Sequence, residues 1–224
     1  MAAGQSVQAC LVTLMVGWMG STGAAASTTD PDTVLELRVL AYGATATKEV
    51  RLARETVERL LASAKIQVAW RDCGGDDQCD DSAGDRPFVR VQLLPTKRDS
   101  DPSVTGDAIR APGVWIALVY VPRVEEIVKE IRQTPTRRSH TALMTLTVGH
   151  VIGLAIAHEV GHLLGLPHSP RGLMTAKPNV EDVIASRQGA LGLSRKDAER
   201  MRQTLHRELL SRDSVRLARE ESRR

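Results

Sequence analysis

The sequence HEVGHLLGLPH occupies residues 158–168, after an apolar stretch, 141–157, that contains no Lys, Arg, Asp or Glu. An apolar stretch of that length predicts a long helix, from about Thr141 to Leu164, that is buried on most of its sides. The motif then covers the C-terminal end of this helix and the turn that follows it. We expect the rest of the domain to pack around this helix.

Three histidines of the motif have the spacing of metal ligands. His158 and His162 are four residues apart, so on a helix they lie about 40° apart around the axis and about 6 Å along it. Gly165 can adopt a positive φ and turn the chain out of the helix, which brings His168 back to the same ion. Three imidazoles leave the fourth position of a tetrahedral Zn²⁺ open for water, as catalytic zinc sites do.

Glu159 is the candidate catalytic residue, because it directly follows the first ligand. From the neighbouring sector of the helix it can take a proton from zinc-bound water, whose pKa falls to about 7. It would later pass that proton to the leaving amine, while zinc polarises the scissile carbonyl. The sequence thus predicts a zinc-dependent endopeptidase that acts on a protein or peptide substrate.

The motif HExxHxxGxxH resembles that of the metzincin clan of zinc peptidases. Met174, in Gly172-Leu173-Met174, resembles the methionine of the Met-turn, which lies beneath the zinc ligands as an apolar floor. The surrounding sequence is similar to small exported bacterial metzincin-like proteins. Motif similarity covers about 145–176, and the order of elements extends it loosely over 33–210. Ala176 stands where some metzincins have a tyrosine that adds a zinc ligand, so no such ligand is expected here.

The resemblance also implies where a substrate binds. Metzincins hold an extended peptide along an exposed edge strand above the zinc, a form of β-augmentation. Residues 105–111 are the candidate edge strand, and residues 169–180 are expected to shape the pocket beside the metal.

Three alternative interpretations remain open at this point. Glu181 lies 19 residues after His162 and is compatible with a gluzincin-like His-His-Glu site, although His168 makes it redundant. The chain could also be a zinc-binding, non-catalytic interaction module, but such a module would not need the carboxylate of Glu159. The apolar stretch 141–157 is long enough to suggest an intramembrane protease. Threonines and glycines interrupt it, however, and a helix in the core of the domain explains it better.

The remaining elements are read from hydrophobic periodicity. Residues 165–193 are expected to be irregular, Ser194 to cap a last helix, and 213–224 to form a charged, frayed tail. The order of elements indicates a single α+β (α/β-like) domain over 27–212. The expected strands cover 34–40, 66–70, 88–94, 106–110 and 114–121, the last of them central, and the expected helices cover 47–64 and 124–132.

The N-terminus is typical of an exported protein. Residues 1–26 carry no charged side chain and end in an A-x-A pattern, which predicts a signal peptide, a secreted or periplasmic location and no stable membrane insertion after its removal. The alternative is that the segment is retained as an uncleaved membrane anchor, since it lacks a basic residue near its start. Cys73 and Cys79 then form an even pair that could be bonded in an oxidising compartment. The acidic residues at 76–81 could bind calcium, but a solvated loop is the better interpretation.

Composition excludes other classes of function. The 224-residue chain is 42% hydrophobic and 25% charged, which is ordinary for a globular protein. Its net charge of +3 and its 3% aromatic content are unlike those of nucleic-acid binders that rely on bulk charge or base stacking. No nucleic-acid partner is expected, and the oligomeric state is open.

Overall fold

The computed structural model describes residues 34–41, 45, 47–74, 86–111, 113–133 and 145–222. The expected signal peptide (1–26), the acidic residues 76–81 and Cys79 lie outside this part of the chain. Cys73 follows the second strand, is buried beside Leu40 and is disulfide-bonded. The elements are β1 (Val34–Ala41), α1 (Thr47–Ala62), β2 (Gln67–Asp72), β3 (Phe88–Leu94), β4 (Gly106–Ala111), β5 (Val114–Tyr120), α2 (Val121–Gln133), α3 (Val148–Leu163), α4 (Val180–Arg187) and α5 (Arg195–Glu221).

The five strands form one mixed sheet in the order β2-β1-β3-β5-β4. All neighbouring strands are parallel except β4, which runs antiparallel to β5 and forms one edge. Alternate residues of β1 and β3 are fully buried against the helices, including Leu35, Leu37, Val89 and Val91. The domain is therefore α+β, as the sequence predicts, with an antiparallel strand at the end of an otherwise parallel sheet.

Helix α3 packs against α1 at very short range. A Cβ atom on Gly153 would lie 2.5 Å from the backbone oxygen of Ala53 and 2.6 Å from Cβ of Thr56. Gly149 likewise faces the backbone of Glu49, whose carboxylate accepts a hydrogen bond from the Gly149 N–H. Glycine at these two positions is what allows the helix axes to approach so closely.

The structure confirms the expected strands and most of the helices, with four differences. Helix α3 begins at Val148 after Thr147, not at Thr141, and residues 141–144 lie outside the described part. The strand 114–120 is interior, but it is next to the edge strand rather than at the centre. Helix α5 continues to Glu221, through most of the segment expected to fray.

The fourth difference is α4, which lies inside the segment 165–193 that was expected to be irregular. Its start is marked by Asn179, whose side chain accepts a hydrogen bond from the Asp182 N–H at 2.8 Å, while Asp182 accepts one from the Asn179 N–H at 3.2 Å. This reciprocal capping at the helix start is readable from an Asn-x-x-Asp sequence, but eight residues give little periodicity. Among the described helices, none combines the length and apolar character that a membrane crossing requires.

Candidate metal centre

The C-terminal end of α3 and the turn after it place the motif. Gly165 has φ +89°, and its N–H donates to the oxygen of His162 at 2.9 Å, while the Leu166 N–H donates to the oxygen of Gly161 at 2.9 Å. These two bonds are those of a Schellman motif, in which a glycine in the left-handed region ends the helix and reverses the chain. The expected role of Gly165 is confirmed.

The turn brings the three histidines together. Nε2 of His162 lies 3.1 Å from Nε2 of His158 and 3.1 Å from Nε2 of His168. The three ligand atoms all lie within 4.8 Å of one another, and together they could hold a metal ion. His158 and His162 are partly buried, whereas His168 is exposed, so the group is open to solvent on one side.

Backbone carbonyls orient two of the three imidazoles. Nδ1 of His158 is 2.8 Å from the oxygen of Leu173, and Nδ1 of His162 is 2.8 Å from the oxygen of Leu166. A carbonyl oxygen only accepts hydrogen bonds, so each Nδ1 carries the proton and each neutral ring presents a lone pair at Nε2.

Facing lone pairs 3.1 Å apart cannot hydrogen-bond to each other, but a shared cation would stabilise them. Tetrahedral Zn²⁺ with ligand bonds of 2.0–2.1 Å places its nitrogen ligands about 3.3 Å apart. The observed spacing and the carbonyl partners behind the rings fit such an ion, because metal-bound histidines usually donate their second N–H to a carbonyl or carboxylate. The donor set therefore fits zinc.

Burial keeps these ligands neutral. Desolvation lowers the pKa of His158 to about 4, with smaller contributions from His162 and His168, although the hydrogen bond to Leu173 opposes it. Burial also lowers the pKa of His162, although the hydrogen bond to Leu166 opposes this, and His168 lowers the pKa by a smaller amount. Only a neutral imidazole can bind a metal, so both groups are in the competent form at neutral pH.

Met174 packs against the helix that carries two of the ligands. It is 3% exposed, and a Cβ atom on Gly161 would lie only 2.5 Å from its sulfur. The oxygen of Met174 accepts a hydrogen bond from the Ser169 N–H at 2.8 Å, which ties its loop to the segment after His168. Met174 thus packs against the helix backbone at Gly161, the residue before His162. Gly161, which makes room for it, was not singled out from the sequence.

Glu159 points away from the histidines' own row, toward β4, and is 5% exposed. Burial, together with the smaller effect of the nearby negative charge of Asp107, raises the pKa of its carboxyl to about 8. A Cβ atom on Gly106 would lie 2.7 Å from Oε1 of Glu159. The catalytic candidate is thus packed against the first residue of the edge strand, a contact that sequence spacing could not reveal.

A cleft of about 950 Å³ runs past the histidines and Glu159. Its walls are the edge strand β4, the face of α2 that includes Ile127, and residues 176–181. Glu181 also lines this cleft, but within the described part of the chain the clustered ligands are the three histidines alone. The structure therefore brings His158, His162 and His168 together and leaves Glu181 outside the group.

No family model and no curated protein shows significant similarity to the chain. The resemblance to metzincins consequently depends on the motif at 158–168 and on Met174. The geometry of these residues, rather than a relative, supports any assignment of function.

Proposed function

We propose that this protein is a zinc-dependent endopeptidase of the metzincin type. The observation that carries the proposal is the convergence of three imidazole nitrogens beside a buried carboxyl group in one open cleft. Three nitrogen ligands at a solvent-open position are typical of catalytic zinc. A purely structural site is usually closed by four protein ligands, and within the described residues no fourth ligand joins these three.

His158, His162 and His168 would hold the ion. When bound, zinc supplies Lewis-acid chemistry, which acidifies water and polarises a carbonyl group. The chain itself supplies the orientation: Leu166 and Leu173 fix two of the rings through their carbonyl oxygens. Because the rings are held before the metal binds, little rotational freedom remains to be lost on binding.

Glu159 is the group that moves the proton. As a carboxylate it accepts a proton from the attacking water, and as a carboxylic acid it donates that proton to the amine that leaves. Its pKa near 8 without metal means that it binds protons readily at neutral pH. A divalent cation nearby favours the carboxylate form, which a general base requires.

The cleft favours an extended peptide as the substrate. It runs alongside β4, whose outer side carries no partner strand within the described sheet, so a peptide can add there by main-chain hydrogen bonds. We also propose that the protein is exported through residues 1–26, since a secreted or periplasmic peptidase fits that N-terminal sequence.

The test combines metal analysis with cleavage of a peptide library by the purified protein. We expect one Zn²⁺ per chain and zinc-dependent cleavage within peptides. The Glu159→Gln variant should retain zinc and lose about 10²–10⁴-fold in kcat/KM, which is the usual contribution of a general acid or base.

A matched control is Glu181→Gln, which alters a carboxylate in the same cleft outside the ligand group. It should retain both zinc and activity. Equal cleavage by wild type and Glu159→Gln would exclude the assigned base, and a zinc-loaded protein that cleaves no peptide would leave a non-catalytic binding module.

A further inference from the structure

Glu159 depends on steric contact for its position. Within the described part of the chain, no hydrogen bond holds its carboxyl group. Instead, the carboxyl lies against Gly106 at the start of β4, where an added Cβ atom would be 2.7 Å from Oε1 and 2.9 Å from Cγ. The same Cβ atom would also be 2.7 Å from the backbone oxygen of Leu118 in the neighbouring strand β5, so this position is crowded from more than one element.

Tyr120 fixes the strand on both sides of Gly106. Its backbone N–H donates to the oxygen of Thr105 at 2.9 Å, and its hydroxyl donates to Oδ2 of Asp107 at 2.9 Å. Arg98 pairs with the other oxygen of Asp107 at 3.2 Å. Tyr120 itself is 7% exposed and ends strand β5, which pairs with β4, so its two hydrogen bonds tie residues 105 and 107 to a buried position.

We propose that residues 105–107, clamped by Tyr120, form a seat that positions the carboxyl of Glu159 for proton transfer. Gly106 and Tyr120 are then positioning residues, which act through Glu159. The effect on rate depends on the proposed peptidase function, but the seat itself is a property of the fold. A displacement of about 1 Å at a reacting group can cost about 10²-fold in rate.

The first experiment measures peptide cleavage by Gly106→Ala. We expect the added methyl group to displace Glu159, so that kcat/KM falls about 10–100-fold. The loss should lie mainly in kcat, because the displaced group takes part in the chemical step, and zinc stoichiometry should match wild type because the three ligands are unchanged. A zinc-loaded, folded Gly106→Ala with wild-type kcat/KM would overturn the proposal.

Two further variants distinguish the positioning of Glu159 by the seat from a non-specific effect of substitution on the fold. Tyr120→Phe removes only the hydroxyl that holds Asp107, and it should lower kcat in the same direction by a smaller factor. Gly192→Ala is the matched control, because a Cβ atom there meets nothing within 4 Å, and it should leave kcat unchanged. An equal loss of kcat in Gly192→Ala would contradict a specific role for Gly106.

A second experiment tests the seat without any activity. The thermal midpoint is compared for wild type, Gly106→Ala, Glu159→Ala and the double variant, all without metal. Because Glu159→Ala removes the atoms that clash, Gly106→Ala should lower Tm less in that background, by about 2–4 °C. An equal drop in both backgrounds excludes the seat, whereas wild type that cleaves no peptide excludes only the proposed function.

Discussion

The two halves of helix α3 use glycine for different purposes. In the N-terminal half, Gly149 and Gly153 let the backbone of α1 approach, so that rigid main chain meets rigid main chain. In the C-terminal half, Gly161 admits the sulfur of Met174, and the neighbouring residues His158 and His162 face the cleft. One end of the helix therefore packs against the rest of the fold, and the other end carries the candidate metal ligands. We expect that substitutions can lower the stability of the fold and the affinity for zinc separately.

The largest expected effect is on metal binding by the C-terminal half. His162→Ala removes one of three ligands, and we expect zinc affinity to fall by more than the roughly 10–100-fold that outer partners of a ligand contribute. The thermal midpoint of the metal-free protein should change little. Zinc titration with a chelating indicator measures the first quantity, and calorimetry the second.

The control for this variant is His206→Ala, which changes an exposed histidine on α5. It should bind zinc as wild type does. If His162→Ala bound zinc with the affinity of wild type, the three histidines would not be the ligands. The C-terminal half of α3 would then have no assigned role in metal binding.

A smaller effect is expected where the C-terminal half of α3 contacts Met174 in the loop that follows His168. Met174→Ala leaves a cavity under Gly161 and should lower the free energy of unfolding by about 2–5 kcal/mol. Met174→Leu keeps most of the volume and should cost less than about 1.5 kcal/mol. Urea unfolding of the two variants checks the difference, and equal losses would mean that the volume of Met174 does not support the helix.

The smallest effect is expected in the N-terminal half. Gly153→Ala forces α1 and α3 apart and should cost about 1–3 kcal/mol of stability, as overpacking of a core does. Zinc affinity of the folded fraction should match wild type, because the ligands lie at the other end of the helix. Urea unfolding together with zinc titration tests this, and weakened zinc binding would show that the two halves are coupled.

Much of this site is local in sequence, and that part was predictable. The spacing of His158, His162 and His168 around Gly165 depends on helix geometry and on a single turn, both of which follow from short-range rules. The same holds for the regular strands, where alternation of buried residues is visible in the sequence. Met174 was predictable only from the resemblance to metzincins.

The parts that were missed depend on contacts between distant segments. Gly106 touches Glu159 across 53 positions of sequence, the difference of the two residue numbers, and the clamp by Tyr120 depends on the pairing of β4 with β5. Neither contact leaves a periodic signal in the chain. The start of α3 was predicted too early for a different reason. Apolar residues continue before Thr147, so the hydrophobic pattern marks no boundary there.

The carbonyl oxygens of Leu166 and Leu173 have a consequence for how the ion is acquired. Both belong to the chain that follows the helix in sequence, so the two imidazoles are aligned only where that segment packs against the helix. The conformational entropy of these two side chains is therefore lost when the chain folds, and not when the cation binds. Uptake of the ion by the folded chain should therefore be a docking event with little rearrangement, and ions that demand six oxygen ligands gain nothing from it.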